Sequence, residues 1–222
     1  MSIFSVKNVD YEYRSRYQTV KALSDVSCDF EKGRFYAIVG RSGSGKTTLL
    51  SLLAGLDLPT GGEIIFDGKA TRDIDRSELR RKYISVIYQS FNLFPLLTAL
   101  ENVMYPMQLN AVPKAEAAAK AKELLLSVGL GEKIFRQFPK MMSGGEQQRV
   151  AVARALAADA EVILADEPTG NLDTENGKQV ISILRSLAHD KGKCVIVITH
   201  DEDIAASADE ILRISDGKRA DS

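Results

Sequence analysis

One glycine-rich segment constrains this chain more than any other, FYAIVGRSGSGKTTLL at residues 35–50. An apolar run leads into three glycines within eight residues, and a second apolar run follows them. The eight residues Gly40–Thr47 fit the pattern G-x-x-x-x-G-K-[ST] of a phosphate-binding loop, here called the P-loop. We therefore predict a strand at Phe35–Val39 and a helix from Lys46 to about Ala54, which Gly55 ends.

The residue types of the P-loop suit a dense anion. Glycines let successive backbone N–H groups turn inward around a polyphosphate, and the N-terminus of the following helix favours the same charge. Lys46 supplies a compact positive charge for the β- and γ-phosphates, and the Thr47 hydroxyl is a hard oxygen ligand suited to Mg²⁺. The predicted nucleotide-binding residues here are Gly40, Arg41, Ser42, Gly43, Ser44, Gly45, Lys46, Thr47 and Thr48. Alone, the loop predicts only a nucleoside triphosphate, because GTPases, kinases and helicases share it.

A P-loop is expected to work with acidic residues elsewhere in the chain, and the segment VILADEP supplies two adjacent ones. Asp166 ends an apolar run and is predicted to hold Mg²⁺ through water, while Glu167 is predicted to orient the attacking water or accept its proton. Adjacent carboxylates are often only solvated strand ends or helix caps. The P-loop upstream favours the catalytic interpretation.

The segment MMSGGEQQRVAVARAL at residues 141–156 contains a second potential anion site. Ser143, Gly144 and Gly145 combine a hydroxyl with glycine N–H groups in front of a predicted helix. A simple helix-capping turn is the competing interpretation. Since the P-loop is already a complete phosphate cradle, the second site raises the question of which phosphate it faces.

Taken together, these motifs resemble those of the ATPase subunits of ABC transporters, and the resemblance spans nearly the whole chain. That family carries the signature LSGGQ, whereas this chain has Met142 in place of leucine and Glu146 in place of glutamine. The resemblance implies that Ser143, Gly144, Gly145 and Glu146 of one copy contact the ATP held by the P-loop of a second copy. The expected assembly is an ATP-dependent homodimer with ATP and Mg²⁺ as cofactors.

Other residues match the family's motifs in the same order along the chain. Gln89, in VIYQSFNLFP, matches the glutamine of the Q-loop, which reports on Mg²⁺ and on the membrane partner. Asp173, in EPTGNLD, matches the D-loop. His200, at the end of CVIVITH, matches the switch histidine, and the resemblance implies that it hydrogen-bonds the γ-phosphate and shares the catalytic role with Glu167.

The aromatic residue that stacks on adenine is less sharply indicated. Tyr13, in YEYR, matches that position of the family. Tyr11 and Tyr17 lie close by in the sequence and are alternatives.

The predicted fold is α/β, with a P-loop NTPase core built on a mixed, mainly parallel sheet. Near-continuous apolar runs, EVILAD and CVIVITH, are typical of central parallel strands covered on both faces. We expect one ABC ATPase domain over residues 1–222, with a core formed by 1–89 and 157–222. An antiparallel β part lies at the N-terminus, and a helical subdomain that carries the signature is expected at about 90–156.

A membrane permease with several spans is the expected second partner, contacted near residues 89–105. The segment SFNLFPLLTALENV is more apolar than a loop requires, and Phe91, Leu93, Phe94, Leu96 and Leu97 are its candidate contacts. A net charge of −1 gives no electrostatic case for nucleic acid as a partner. Two distant cysteines, no signal peptide and no apolar stretch of membrane-spanning length predict a cytoplasmic protein, held peripherally on the inner face of the plasma membrane by the permease.

Within the family, QSFNLFPLLTALENV and DEPTGNLD look most like the subunits that serve macrolide and antimicrobial-peptide exporters and lipoprotein-release systems. A cell-division ATPase that signals through a membrane partner is a near relative and an alternative. A soluble ABC ATPase acting on ribosomes or DNA ranks lower, because those proteins usually carry two cassettes, long coiled coils or zinc modules. A P-loop switch or kinase outside the family would not explain Ser143–Glu146.

Overall fold

Two β-sheets and seven α-helices organise the chain, in a computed structural model that describes residues 2–220. The strands are β1 (Ser2–Arg14), β2 (Thr19–Glu31), β3 (Phe35–Val39), β4 (Gly61–Phe66), β5 (Lys69–Ala70), β6 (Ile84–Ile87), β7 (Val162–Asp166), β8 (Cys194–Ile198), β9 (Glu210–Ser215) and β10 (Lys218–Ala220). The helices are α1 (Lys46–Leu53), α2 (Arg76–Glu78), α3 (Ala99–Leu109), α4 (Lys114–Ser127), α5 (Gly144–Ala157), α6 (Thr174–His189) and α7 (Glu202–Ala206). A π-helical turn at Leu79–Tyr83 extends α2, and short 3₁₀ turns lie at Thr71–Asp73, Glu132–Arg136 and Pro139–Met141.

The central sheet has the strand order β10-β9-β3-β8-β7-β6. All neighbouring pairs are parallel except β9 with β10. Every residue of β8 is buried, as its unbroken apolar sequence predicts for a strand covered on both faces. The carboxyl ends of β3, β7 and β8 therefore lie side by side at one edge of the sheet, where open α/β sheets bind their ligands.

The smaller sheet is antiparallel, in the order β2-β1-β4-β5. Its β4–β5 hairpin turns at Asp67 and Gly68, which have φ angles of 45° and 79°. Two successive positive φ angles define the tight turn that an Asp-Gly pair favours. The Asp-Gly sequence therefore accounts for this hairpin.

Two hydrophobic cores cover the two faces of the central sheet. Alternate residues of β8 divide between them: Ile196 packs into the core shared with the antiparallel sheet and α1, whereas Val195 and Val197 pack into the core shared with α3–α6. The same alternation separates Leu164 from Ile163 in β7. The period of two in the strands thus lets one sheet hold both layers in place.

The predicted fold class is confirmed, with two differences in detail. Strands β1 and β2 extend beyond their most apolar stretches, into segments 10–14 and 19–25 that carry polar and charged residues. Strand β10 was not predicted: Asp216 and Gly217, with φ angles of 48° and 76°, turn the chain back on β9. Both differences come from pairing between strands, which apolar patterning does not report.

Helices α3, α4 and α5 lie between β6 and β7 in the chain. The limits predicted for a helical subdomain, 90–156, stay a prediction. Both cysteines, Cys28 and Cys194, are buried and free. Within residues 2–220, none of the helices is both long and apolar enough to cross a membrane.

Candidate nucleotide-binding site

The P-loop connects β3 to α1 and packs closely against neighbouring backbone. A Cβ atom at Gly40 would lie 2.1 Å from the carbonyl oxygen of Ile214, and one at Gly45 would lie 2.5 Å from that of Ala22. Gly45 also has a φ of 107°, which L side chains rarely adopt. The two glycines that define the motif are therefore required by the fold as well as by the approach of a phosphate.

The turn between β9 and β10 holds the backbone of the P-loop through hydrogen bonds. The Gly217 N–H donates a hydrogen bond of 3.0 Å to the Ser44 carbonyl, and the Gly217 carbonyl accepts one of 2.7 Å from the Ser24 N–H. A residue 173 positions further along the chain thus fixes the backbone of the P-loop.

Lys46 spans the mouth of the P-loop. Its ammonium group donates to the carbonyl oxygens of Gly40 and Arg41, each at 2.8 Å. These bonds hold the positive charge above the loop, at the position where the motif uses it for phosphate oxygens.

Thr47 and Asp166 meet across the carboxyl edge of the central sheet. The Thr47 hydroxyl donates a hydrogen bond of 3.1 Å to Oδ2 of Asp166, the last residue of β7. Burial raises the pKa of Asp166, and the nearby Glu167 carboxylate adds to this, while the Thr47 bond and the Lys46 charge act in the opposite direction. The carboxylate and the hydroxyl are both hard oxygen ligands for a divalent cation, and such a cation would stabilise the charge of the half-buried carboxylate.

Glu167 and His200 form the next pair along the same edge. Nδ1 of His200 lies 2.8 Å from Oε1 of Glu167, and the Glu167 side chain is mostly buried whereas the His200 ring is exposed. The Glu167 carboxylate, as a hydrogen-bond acceptor and through its charge, raises the pKa of His200. Glu167 has a φ of 48°, an unfavourable left-handed conformation that is held by the hydrogen bond from its own N–H to the Ile198 carbonyl at 3.0 Å.

The three tyrosines considered for adenine lie in different surroundings. The Tyr13 hydroxyl is 3.1 Å from Oγ1 of Thr48, the residue that follows the P-loop in α1, and half of Tyr13 is exposed. Tyr11 is buried, and its hydroxyl donates to Asp57 at 2.6 Å. Tyr17 is almost fully exposed. Among the three, Tyr13 combines exposure with a contact directly beside the P-loop.

Ser143 caps helix α5 at the signature. Its backbone N–H and its hydroxyl both donate to Oε2 of Glu146, at 2.7 and 2.9 Å, and its Oγ accepts from the Glu146 N–H at 3.3 Å. This reciprocal pattern is a capping box. Ser143 and Gly144 are exposed, and within residues 2–220 no hydrogen bond joins this turn to the P-loop.

The segments at Gln89 and Asp173 flank the signature turn. The Gln89 carbonyl accepts a hydrogen bond of 3.3 Å from the Asn171 side chain. Asp173 caps helix α6 by accepting the Asn176 N–H at 2.9 Å, and this bond lowers the pKa of the Asp173 carboxyl. The predicted site residues thus form two groups in one chain: the P-loop with Asp166, Glu167 and His200, and the signature turn with the Gln89 and Asp173 segments.

Arg154 was not among the predicted site residues. Its guanidinium donates to the carbonyls of Phe91 and Asn92, at 2.9 and 2.6 Å, just beyond Gln89. The available signal was a single charge within the otherwise apolar run VAVARALA of α5.

A strand, a P-loop and a helix, followed by a strand-end Asp-Glu pair on the same sheet edge, define a P-loop nucleoside triphosphatase. A family model described as "ABC transporter" matches residues 23–170, which is most of the chain. The chain belongs to this family and is an ATP-binding, ATP-hydrolysing cassette of the transporter type.

The similarity to individual relatives extends over nearly the whole of this chain. The chain is 43% identical, over 98% of its length and 95% of the relative's, to the ABC transporter ATP-binding protein YclH of Bacillus subtilis. It is also 43% identical to the macrolide export ATP-binding/permease protein MacB of Aggregatibacter actinomycetemcomitans, and covers 34% of that protein's length. The predicted resemblance to the macrolide-export branch is confirmed.

Solved structures give the same result for the fold. The ATP-binding cassette MJ0796 of Methanocaldococcus jannaschii, in a dimeric post-hydrolysis state bound to ADP and Pi, superposes with a TM-score of 0.94. The match has 39% sequence identity and covers 98% of this chain and 97% of that one.

Proposed function

We propose that two copies of this chain close on two ATP molecules, each held between the P-loop of one copy and the signature turn of the other. The observation that carries this proposal is the separation of two anion-binding elements within one chain. The signature turn is exposed and already shaped by its capping box, yet is not bonded to the P-loop. The dimeric state of the MJ0796 cassette supports the same arrangement.

Mg²⁺ fits the residues present. Thr47 and Asp166 bring a hydroxyl and a carboxylate together, and Mg²⁺ in NTPases is commonly bound by one or two such groups plus phosphate oxygens and water. Gln89 is the third proposed ligand. When bound, the ion would neutralise charge that develops on the phosphate oxygens.

Glu167 and His200 are proposed to carry hydrolysis. Glu167 is positioned to orient a water molecule and accept its proton as the water attacks the γ-phosphorus, and the products are ADP and inorganic phosphate. His200, now bonded to Glu167, would turn its ring N–H to the γ-phosphate. Lys46 would hold the β- and γ-phosphates, so most of the rate enhancement comes from positioning and charge.

Tyr13 is proposed to stack on adenine. Its exposed ring stands beside Thr48, and its edge-to-face contact with Tyr11, at 4.9 Å between ring centroids, fixes its orientation. The Asp173 segment of each copy is proposed to line the dimer interface beside the signature turn.

A membrane permease is proposed to bind near residues 89–105 and to hold the chain on the inner face of the membrane. Of the predicted contacts, Leu96 is 86% exposed and Phe94 is 40% exposed, whereas Phe91, Leu93 and Leu97 are partly buried. The exposed part of this surface also includes Tyr105, whose ring packs on Phe94 at 4.6 Å. Leu96→Asp should abolish co-purification with a multi-span membrane protein, and Leu126→Asp, at an exposed leucine of α4, is its control.

We propose export as the direction of transport, because the chain resembles a macrolide export protein over 98% of its own length. Overexpression of the chain with its permease should lower macrolide accumulation in cells, and unchanged accumulation would argue for another cargo or direction.

The dimer is tested with Glu167→Gln, which removes the proton acceptor but keeps the size and the polar contact to His200. With ATP and Mg²⁺, this variant should accumulate as a dimer in light scattering, with hydrolysis reduced about 100-fold or more. The same variant with ADP should stay monomeric, and the double variant that adds Ser143→Ala should form less dimer than Glu167→Gln alone. A monomer at saturating ATP-Mg²⁺ would contradict the proposal.

A further inference from the structure

The loop Gln89–Phe94, here called the coupling loop, has a strained backbone. Phe91 and Asn92 have φ angles of 61° and 48°, although neither is glycine. Two successive left-handed residues of this kind persist only where their surroundings enforce them.

Arg154 holds the two left-handed residues from α5, while Asn102 of α3 holds the end of the loop by accepting the Phe94 N–H at 2.8 Å. Nη1 of Arg154 donates to the Asn92 carbonyl at 2.6 Å, and its Nη2 donates to the Phe91 carbonyl at 2.9 Å. Its guanidinium carbon also lies 5.9 Å from the centre of the Phe94 ring. Among residues 2–220, no carboxylate pairs with Arg154, so its charge is used on the coupling loop.

The coupling loop also touches the signature turn. A Cβ atom at Gly144 would lie 3.7 Å from the ring of Phe91, so this ring covers the first turn of α5. Arg154 is ten residues further along the same helix, about 15 Å at 1.5 Å per residue. The loop is therefore held by two residues of α5: the Phe91 ring lies on Gly144, and the carbonyls of Phe91 and Asn92 bond to Arg154.

We propose that Arg154 is a positioning residue that makes the coupling loop and the signature helix α5 move as one body. If the permease displaced Phe94, Ser143 would then move with it. Conversely, when Ser143 closes on ATP, Phe94 would move at the permease surface. This inference rests on the proposed function, because it assigns how the permease surface communicates with the dimer interface. The planar fork is essential to it: lysine would keep the charge but could not hold two carbonyls in a fixed geometry.

The test uses the full chain in the Glu167→Gln background, with ATP-Mg²⁺ as the probe. Hydrogen exchange is followed in peptides that cover residues 88–97, while light scattering reports the dimer. With Arg154 present, dimer formation should slow exchange of the loop about tenfold. With Arg154→Lys the dimer should still form, but the loop should respond less than about twofold.

Arg185→Lys, on the exposed face of α6, is the matched control and should behave like the parent. A second variant, Phe94→Leu, removes only the ring contact and should give an intermediate response, which covers the case in which Arg154→Lys folds poorly. An equal slowing of loop exchange in Arg154→Lys and in the parent would overturn the inference. If the parent forms no dimer, the proposed function fails, and this inference fails with it.

A kinetic readout separates positioning from a merely structural role. In the chain with native Glu167, Arg154→Lys should lower kcat about tenfold with KM for ATP unchanged, because the P-loop is intact and the dimer still forms, but the signature turn is held less precisely against the γ-phosphate. A rise in KM with unchanged kcat would contradict this assignment.

Discussion

The two candidate phosphate-binding elements of this molecule, the P-loop and the signature turn, are built in opposite ways. The P-loop is fixed by distant parts of the chain: backbone from Ala22 and Ile214 closes on its glycines, and Asp166 bonds to Thr47. The hydrogen bonds within the signature turn are local: Ser143 bonds to Glu146 and Gln147, in the first turn of the same helix. The P-loop is therefore anchored in the central sheet, whereas the signature turn keeps its hydrogen bonds when helix α5 moves.

A second comparison shows what makes the signature turn a site. Helix α3 begins with a capping box of nearly the same dimensions, in which the Thr98 N–H and hydroxyl donate to Glu101 at 2.9 and 2.7 Å. In α3, Asn102, which follows Glu101, is fully buried and hydrogen-bonds to the loop before the helix. After Ser143 come two glycines, which leave backbone N–H groups open to a ligand. The surroundings, and not the capping box, distinguish the two turns.

The largest expected effect tests the anchored element. Lys46→Ala should weaken ATP binding about 100-fold, because two or more charge-assisted hydrogen bonds to phosphate are lost. Titration of the isolated chain with a fluorescent ATP analogue measures it, and Lys191→Ala, at an exposed lysine, is the control. Affinity within about twofold of the unaltered chain would remove the P-loop from the mechanism.

The signature turn should respond differently. Ser143→Ala should leave ATP affinity of the monomer unchanged but lower hydrolysis about tenfold, because a hydrogen bond to the γ-phosphate is lost only in the closed dimer. Equilibrium binding and steady-state kinetics on one preparation separate the two quantities. Weakened binding by the monomer would mean that the two elements act within one chain.

Thr98→Ala makes the comparison between the two capping boxes quantitative. Loss of this cap should lower the free energy of unfolding by about 1 kcal/mol, as should Ser143→Ala, because both remove one helix-capping hydroxyl. Urea denaturation monitored by circular dichroism measures both. Only Ser143→Ala should change kcat; an equal loss of kcat in Thr98→Ala would reduce the signature serine to a stabilising cap.

The last prediction concerns one tertiary hydrogen bond, from the Tyr11 hydroxyl to Asp57, whose effect should disappear at low pH. The hydrogen bond from Tyr11 lowers the pKa of Asp57, with help from the Leu58 N–H, so its stabilising contribution is present above the unfolded carboxyl pKa and is lost as pH falls through the folded one. Tyr11→Phe should therefore destabilise the protein by about 1 kcal/mol at pH 7. The difference from the unaltered chain should shrink below about pH 4, in urea titrations across pH 3–7. A constant difference would assign the effect to packing.

The sequence predicted those parts of the site whose chemistry is local. Gly40–Thr47 could be predicted because its glycines, lysine and threonine are consecutive, and Asp166 because it ends an apolar run. The support of Ser44 by Gly217 could not be predicted, since it joins residues 173 positions apart and uses only backbone atoms. The role of Arg154 was hidden for a related reason: the groups that it binds are carbonyls, which every residue has.

The fold shows the same division. Buried strands such as β8 can be predicted from their apolar composition. Strand β10 and the polar segments of β1 and β2 form because they pair with neighbouring strands. Among the tyrosines, spacing alone left three candidates, and only the three-dimensional arrangement brings Tyr13 to Thr48 while burying Tyr11 against Asp57.

The left-handed backbone at Glu167 has a practical consequence for anyone who engineers this protein. Asparagine tolerates that conformation better than glutamate, so Glu167→Asn would relieve strain of about 1 kcal/mol and raise the melting temperature. Directed evolution for heat resistance alone would therefore reward an inactive molecule. A screen on this scaffold should score turnover in the same round as survival of heating.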